Sequence, residues 1–179
     1  LDVLLPLLAN EPVSAEGETL TFRGGLSFNA PATPVVIAAL GPAMLKLCGT
    51  RADGTSTWMT GPNTIRDHVA PTIREAAEAA GRPEPQIIAS VPVCVTADTG
   101  PALERAATQF EIYGGLPSYR AMMDREGVAG PADIALIGSQ SEVIERLQGF
   151  FDAGSTLVNG VMFGTPDEQA ATREALVLA

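Results

Sequence analysis

The stretch of this sequence best suited to chemistry presents main-chain groups rather than side chains. In Val35-Val36-Ile37-Ala38-Ala39-Leu40-Gly41-Pro42-Ala43-Met44-Leu45, a continuous apolar run meets a glycine and then a proline at the start of a helical pattern. The glycine permits close backbone approach, while the new helix offers unpaired N–H groups and the positive end of its dipole. Such a turn suits a phosphate held by the amides of Gly41, Ala43 and Met44. Pro42 has no N–H to give, and no lysine is required. An ordinary strand-to-helix turn, with Gly41 serving conformation and Pro42 opening the helix, uses the same residues, and spacing alone leaves both readings open.

Other reactive side chains are sparse. His68, the only histidine, lies mid-helix among Arg66, Asp67 and Val69 and is expected at the surface. Cys48 and Cys94 stand apart among apolar neighbours, which predicts buried free thiols in a reducing, cytoplasmic setting. Neither a nucleophile motif nor clustered metal ligands occur, so a Ser-His-Asp hydrolase or a zinc enzyme finds no support. Tyr113, Tyr119, Arg120, Asp124 and Arg125 surround a Gly-Gly-Leu-Pro break. That region reads either as a lid or subunit contact, or as a helical insertion with its charges in water and Met122 and Met123 packing it. The acids Asp124 and Glu126 are expected to be solvated.

These groups depend on the elements that carry them. Leu1, Leu4, Leu5 and Leu8 repeat at helical spacing from the first residue, as though the sequence begins inside an amphipathic helix, and Asn10-Glu11-Pro12 ends it. Thr19 to Arg23 reads as a short strand in a connecting excursion closed by Gly24-Gly25. Strands are then expected at 35–39, 54–59, 86–96 and 157–163, with a further short apolar run at 134–137. Helices are expected after Pro42, after Gly61-Pro62, at 101–113, after the capping box Ser139-Gln140-Ser141-Glu142 and after Thr165-Pro166-Asp167-Glu168. Pro71 should break or kink the helix in which it stands, Pro92 should interrupt its strand, and Leu103, Ala106, Ala107 and Phe110 should face inward. Apolar strands alternating with helices imply an α/β fold with parallel strands, either a doubly wound sheet or a (β/α) barrel.

With 179 residues the chain suffices for one domain, and 46% hydrophobic against 18% charged residues is a globular composition. Eleven basic against 21 acidic residues leave a net charge of −10, which disfavours nucleic acid and anionic lipid as partners. No apolar run approaches the ~20 residues of a membrane-spanning helix.

From Ile37-Ala38-Ala39-Leu40-Gly41-Pro42-Ala43-Met44-Leu45-Lys46-Leu47-Cys48-Gly49 through Ala52-Asp53-Gly54, the sequence resembles the luciferase-like monooxygenase superfamily, most nearly its F420-dependent branch. The similarity continues through Val91 to Thr96, Tyr113 to Met122 and Gly127 to Asp133, covering roughly residues 1–164. The resemblance implies a TIM-type (β/α)8 barrel, of which residues 1–179 supply the carboxyl-terminal half to two-thirds as part of a single domain. It further implies an oxidoreductase passing a hydride between coenzyme F420 and a small organic substrate, with a flavin mononucleotide (FMN) monooxygenase as the alternative. A non-catalytic partner or fragment that completes a barrel is a third reading. Ala38, Ala39, Leu40, Gly41, Pro42, Ala43 and Met44 would bind the cofactor, with its phosphate against the turn from Ala39 to Met44, and Trp58 would pack beside the cofactor or its tail. Small symmetric homo-oligomers are expected in such a family, and the catalytic side chains are expected on strands that precede Leu1.

Overall fold

The computed structural model describes residues 1–178. Helix α1 (Leu4–Leu8) stops at Asn10, whose φ of 63° turns the chain into an antiparallel hairpin of β1 (Val13–Glu16) and β2 (Thr21–Gly24). Only the second of these strands is expected from the sequence. The first lacks an apolar run because the ribbon is largely exposed. The carboxamide of Asn10 closes the excursion, donating to the Ala30 carbonyl at 3.0 Å and accepting from the Ala30 amide at 2.6 Å.

Beyond the hairpin, strands and helices alternate. Strand β3 (Val36–Ala38) leads into α2 (Pro42–Arg51), and β4 (Gly54–Trp58) leads into the short α3 (Pro62–Thr64), a π-helical turn at Ile65–Val69 and α4 (Ala70–Ala79). Strand β5 (Gln86–Val95) is followed by α5 (Thr99–Gln109), α6 (Glu111–Gly115), α7 (Pro117–Glu126) and α8 (Pro131–Ile134). Then come β6 (Leu136–Gly138), α9 (Gln140–Asp152), β7 (Leu157–Met162) and α10 (Pro166–Leu178). Both predicted capping boxes form. Glu142 accepts from the Ser139 amide at 2.8 Å, and Glu168 accepts from the Thr165 amide at 2.7 Å.

All five strands of the larger sheet run parallel, and β5 is their hub. Its even-numbered residues bond β4 at one end and β6 at the other, as the Gln86 amide to Asp53 and the Thr96 amide to Gly138 show. Its odd-numbered residues face β7, with Ile87 accepting from Thr156 and Val93 from Phe163. Pairing with β4 ends at Ser90 and pairing with β6 begins at Val93. Pro92 stands in that gap. Its missing N–H would have pointed where neither neighbour reaches, so the strand runs unbroken through a residue expected to interrupt it.

Pro71 is accommodated as economically. The π turn before it carries an Ala70 to Ile65 bond, and Pro71 follows directly at the start of α4, where the change from π to α register lets a residue without an N–H be accommodated inside a continuous helical run. In the expected 101–113 helix, Phe110 leaves helical geometry and separates α5 from α6. The buried stripe is Ala102, Ala106 and Phe110, while Leu103 and Ala107 face outward.

Helices α2, α4, α9 and α10 bury one face of the sheet around Leu45, Ile73, Ile87, Val91, Val93, Leu147 and Phe150. The opposite face, with Ala38, Ser56, Ser90 and Asn159, has no such cover, so the arrangement is that of (β/α) barrel units rather than a doubly wound sheet. Among the described residues no helix is long and apolar enough to cross a membrane. Helices α2 and α4 meet closely at Gly49, where a Cβ would come within 2.4 Å of the Ile73 carbonyl oxygen. Gly49→Val is therefore expected to lower stability by about 1–3 kcal/mol, read from the shift in the denaturation midpoint, through overpacking against backbone that cannot move aside.

Candidate functional site

The uncovered sheet face and the carboxyl ends of β3, β4 and β7 form a cleft of about 490 Å³. Ala38, Ala39, Leu40, Gly41 and Met44 make one wall, Ser56, Trp58, Ser90 and Asn159 the floor, and Ser118 and Tyr119 from α7 the rim. Asn159 donates to the Ser90 hydroxyl at 3.3 Å, joining β7 to β5 across the floor. No lysine or arginine is among the residues lining the cleft.

The first wall is held from behind at successive carbonyls. Ile37 accepts from the Thr55 hydroxyl at 3.0 Å and from the Cys48 thiol at 3.7 Å, and the Ala39 amide continues the ladder to Ser56 at 3.2 Å. Burial pushes the Cys48 thiol pKa up, so it stays a donor. Leu40 accepts from His68, whose Nε2 lies 2.9 Å from its oxygen. His68 is only 7% exposed, which overturns its expected surface position. Its place three residues after Ile65 and one before Val69, on the same apolar face, is the signal that would have revealed this.

At the turn itself Gly41 has φ −80° and ψ 155°, a conformation open to any residue, and a Cβ there would meet nothing within 4 Å. Neither conformation nor packing against the protein calls for glycine. No side chain caps α2, so its first-turn amides retain donor capacity beside the cleft. Pro42 and Ala43 lie outside the cleft lining, whereas Ala38, Ala39, Leu40, Gly41, Met44 and Trp58 are brought together in it.

Trp58 stacks edge-on against Phe110 at 6.1 Å and Tyr113 at 5.9 Å, and Tyr113 against Tyr119 at 4.9 Å. Its indole N–H is shielded from solvent and has no partner among the described residues. Burial, aided by the neighbouring Tyr113, raises the Tyr119 pKa and keeps the phenol protonated. After Trp58 the chain turns abruptly through Met59, fully buried at φ 53°, a left-handed conformation that costs a bulky residue ~1–3 kcal/mol.

The Gly-Gly-Leu-Pro region thus puts Tyr119 on the cleft, while its charges act locally. Arg120 bonds Asp124 and the Val128 and Ala129 carbonyls, closing the loop after α7. Glu126 is not merely solvated. It accepts from the Asn63 amide at 3.1 Å, the Thr64 amide at 2.7 Å and the Thr64 hydroxyl at 2.8 Å, capping α3 from another helix.

Residues 1–157 match the family model for the luciferase-like monooxygenases. The chain belongs to this family. It is 28% identical over 169 residues to an F420-dependent glucose-6-phosphate dehydrogenase of Kineococcus radiotolerans, covering 84% of this chain and 49% of the relative. It is 28% identical over 167 residues to a 5,10-methylenetetrahydromethanopterin reductase of Methanolobus tindarius, covering 90% and 50%. This luciferase-like chain therefore spans about half the length of these curated relatives.

Among solved structures, an F420-dependent secondary alcohol dehydrogenase in complex with an F420-acetone adduct superposes with a TM-score of 0.74 at 19% identity, over 95% of this chain and 57% of that one. An FMN complex of the oxygenating constituent of 3,6-diketocamphane monooxygenase from Pseudomonas putida gives 0.62 at 17% identity, over 96% and 57%. At such identities the likeness establishes the fold.

Because Glu126 ties α7, and with it Tyr119, to the segment after β4, Glu126→Ala should leave the buried Thr64 amide without its acceptor, while the Thr64 hydroxyl keeps the Met122 carbonyl. The expected loss is about 1.5–3 kcal/mol of unfolding free energy in chemical denaturation, and an unchanged midpoint would show that the cap carries no stability.

Proposed function

We propose that this chain is part of an oxidoreductase that passes a hydride between coenzyme F420 and a small organic substrate, and that its cleft holds the cofactor, with the phosphate at the turn from Leu40 to Met44. The observation that carries this reading is Gly41. It is a glycine whose conformation and surroundings inside the protein do not need one, at the uncapped start of a ten-residue helix, facing a cleft. A missing side chain there leaves room for something outside the chain. Amide donors and the positive end of the helix dipole suit a phosphate without a cationic side chain.

A curated relative named as an F420-dependent dehydrogenase supports the choice of deazaflavin. When bound, that group supplies the hydride chemistry, and the residues of this chain supply position. Gly41, Met44 and Leu40 would line the phosphate end, Trp58 and Tyr119 would lie against apolar surface of the ligand, and Ser56, Ser90 and Asn159 offer hydrogen bonds from the floor. FMN is the second reading, supported by the FMN-bound neighbour, since the same turn suits its phosphate. Among the described residues strands β3 and β7 each pair on one side only, and we propose that further strands complete the cleft and bring the proton-handling side chains.

Trp58, the only tryptophan, lies in the cleft and makes binding directly readable. Titration with F420 is expected to quench its fluorescence saturably, and a response to FMN alone would exclude the deazaflavin. Gly41→Val should leave the melting temperature unchanged but weaken binding by about tenfold or more, as expected when charge-assisted bonds worth ~1.5–3 kcal/mol are obstructed. Unaltered affinity would remove the turn from the binding site.

A further inference from the structure

We propose that His68 is a positioning residue for this cleft, aiming the Gly41 amide at the ligand by holding the Leu40 carbonyl. The inference rests on the reading of the cleft given above and adds a residue outside its lining. Three observations carry it.

His68 is buried within the π-helical turn Ile65–Val69, a local widening of the helix that places Ile65, His68 and Val69 together on the inward side. Such single turns recur where a helix serves a site rather than its own regularity. The imidazole Nε2 lies 2.9 Å from the oxygen of Leu40, 28 residues earlier. A carbonyl only accepts, so Nε2 carries the hydrogen, and the bond joins the helical layer to the wall of the cleft.

The third observation is the geometry of the peptide unit itself. The Leu40 carbonyl and the Gly41 N–H belong to one planar trans group and point in opposite directions. Fixing the oxygen from the helix side therefore fixes the N–H on the far side, where Gly41 lines the cleft. Donation to the oxygen also polarises the same amide, strengthening it as a donor. The neighbouring anchors, Thr55 and Cys48 on the Ile37 carbonyl, hold the strand itself. His68 alone among these holds the peptide that leads into the turn.

The test compares a phosphorylated ligand with its unphosphorylated counterpart on the purified protein: F420 against its deazariboflavin core, and FMN against riboflavin. In the unsubstituted protein the phosphorylated form is expected to bind more tightly. His68→Leu should weaken the phosphorylated form by roughly five- to thirtyfold, as for loss of one buried hydrogen bond, and the unphosphorylated form by less than about twofold. His68→Gln, whose side-chain amide reaches the same carbonyl, should recover affinity to within about threefold. Should the leucine variant not fold, His68→Asn, with a shorter reach, replaces it in the comparison with His68→Gln.

The proposal is overturned by any of three results: wild-type affinity in the leucine or asparagine variant, equal losses for both ligand forms, or no recovery with glutamine. If the unsubstituted protein shows no preference for the phosphorylated form, the reading of the cleft falls and this proposal with it. If that preference and the Gly41→Val effect stand while the His68 variants behave as wild type, only the role of His68 is lost.

Discussion

A parallel strand covered by helices must find partners for its amides on both edges, and in this protein one ten-residue strand does so by pairing with three of the other four strands of its sheet. Strand β5 shares its even edge between β4 and β6 and gives its odd edge to β7. Just past the β7 ladder, the Val95 amide is taken up by the Thr172 hydroxyl of α10 at 2.8 Å. The helical layer is thus joined to the strand by hydrogen bonding as well as by packing. Because the even edge changes partner around Pro92, the carboxyl end of β4 is released from β5 near Trp58. The sharp turn through Met59 and the cleft both begin there.

The cleft wall shows a division of labour between the two sides of the sheet. On the helix side, hydroxyl, thiol and imidazole groups hold carbonyls of the segment from Ile37 to Leu40. On the other side Ala38, Ala39, Leu40 and Gly41 line the cleft, and the uncapped first turn of α2 follows beside it. These ordering interactions come from behind and take up none of the cleft, which leaves backbone accessible from its open side. The absence of cationic side chains from the lining is consistent with this, since main-chain dipoles attract an anion without requiring a buried charge.

Much of the architecture was legible in the residue pattern. The alternation of strands and helices, the capping boxes at Ser139 and Thr165 and the turn at Gly41 follow from local rules that tertiary packing did not override. The cleft floor was not legible. Strand β4 reads Gly-Thr-Ser-Thr-Trp, polar on both faces: Thr55 is buried and bonds a neighbouring strand, while Thr57, also buried, borders the cleft beside Ser56 and Trp58. Period-two patterning cannot tell which hydroxyls face the cleft in such a strand. Glu126 and His68 escaped for a related reason, since each is satisfied by backbone groups distant in sequence, at Asn63 and Thr64 in one case and Leu40 in the other.

The paired bonds between Asn10 and Ala30 carry a consequence for how this chain tolerates change. They join the two ends of the hairpin excursion across a single side chain, so ring closure is settled locally, and lengthening the exposed tip near Gly17 and Glu18 adds only a slowly growing entropic term. The spacing between α1 and β3 is set by that clasp rather than by the number of residues it encloses. The excursion is accordingly a natural insertion point for a reporter peptide, since none of its residues lines the cleft.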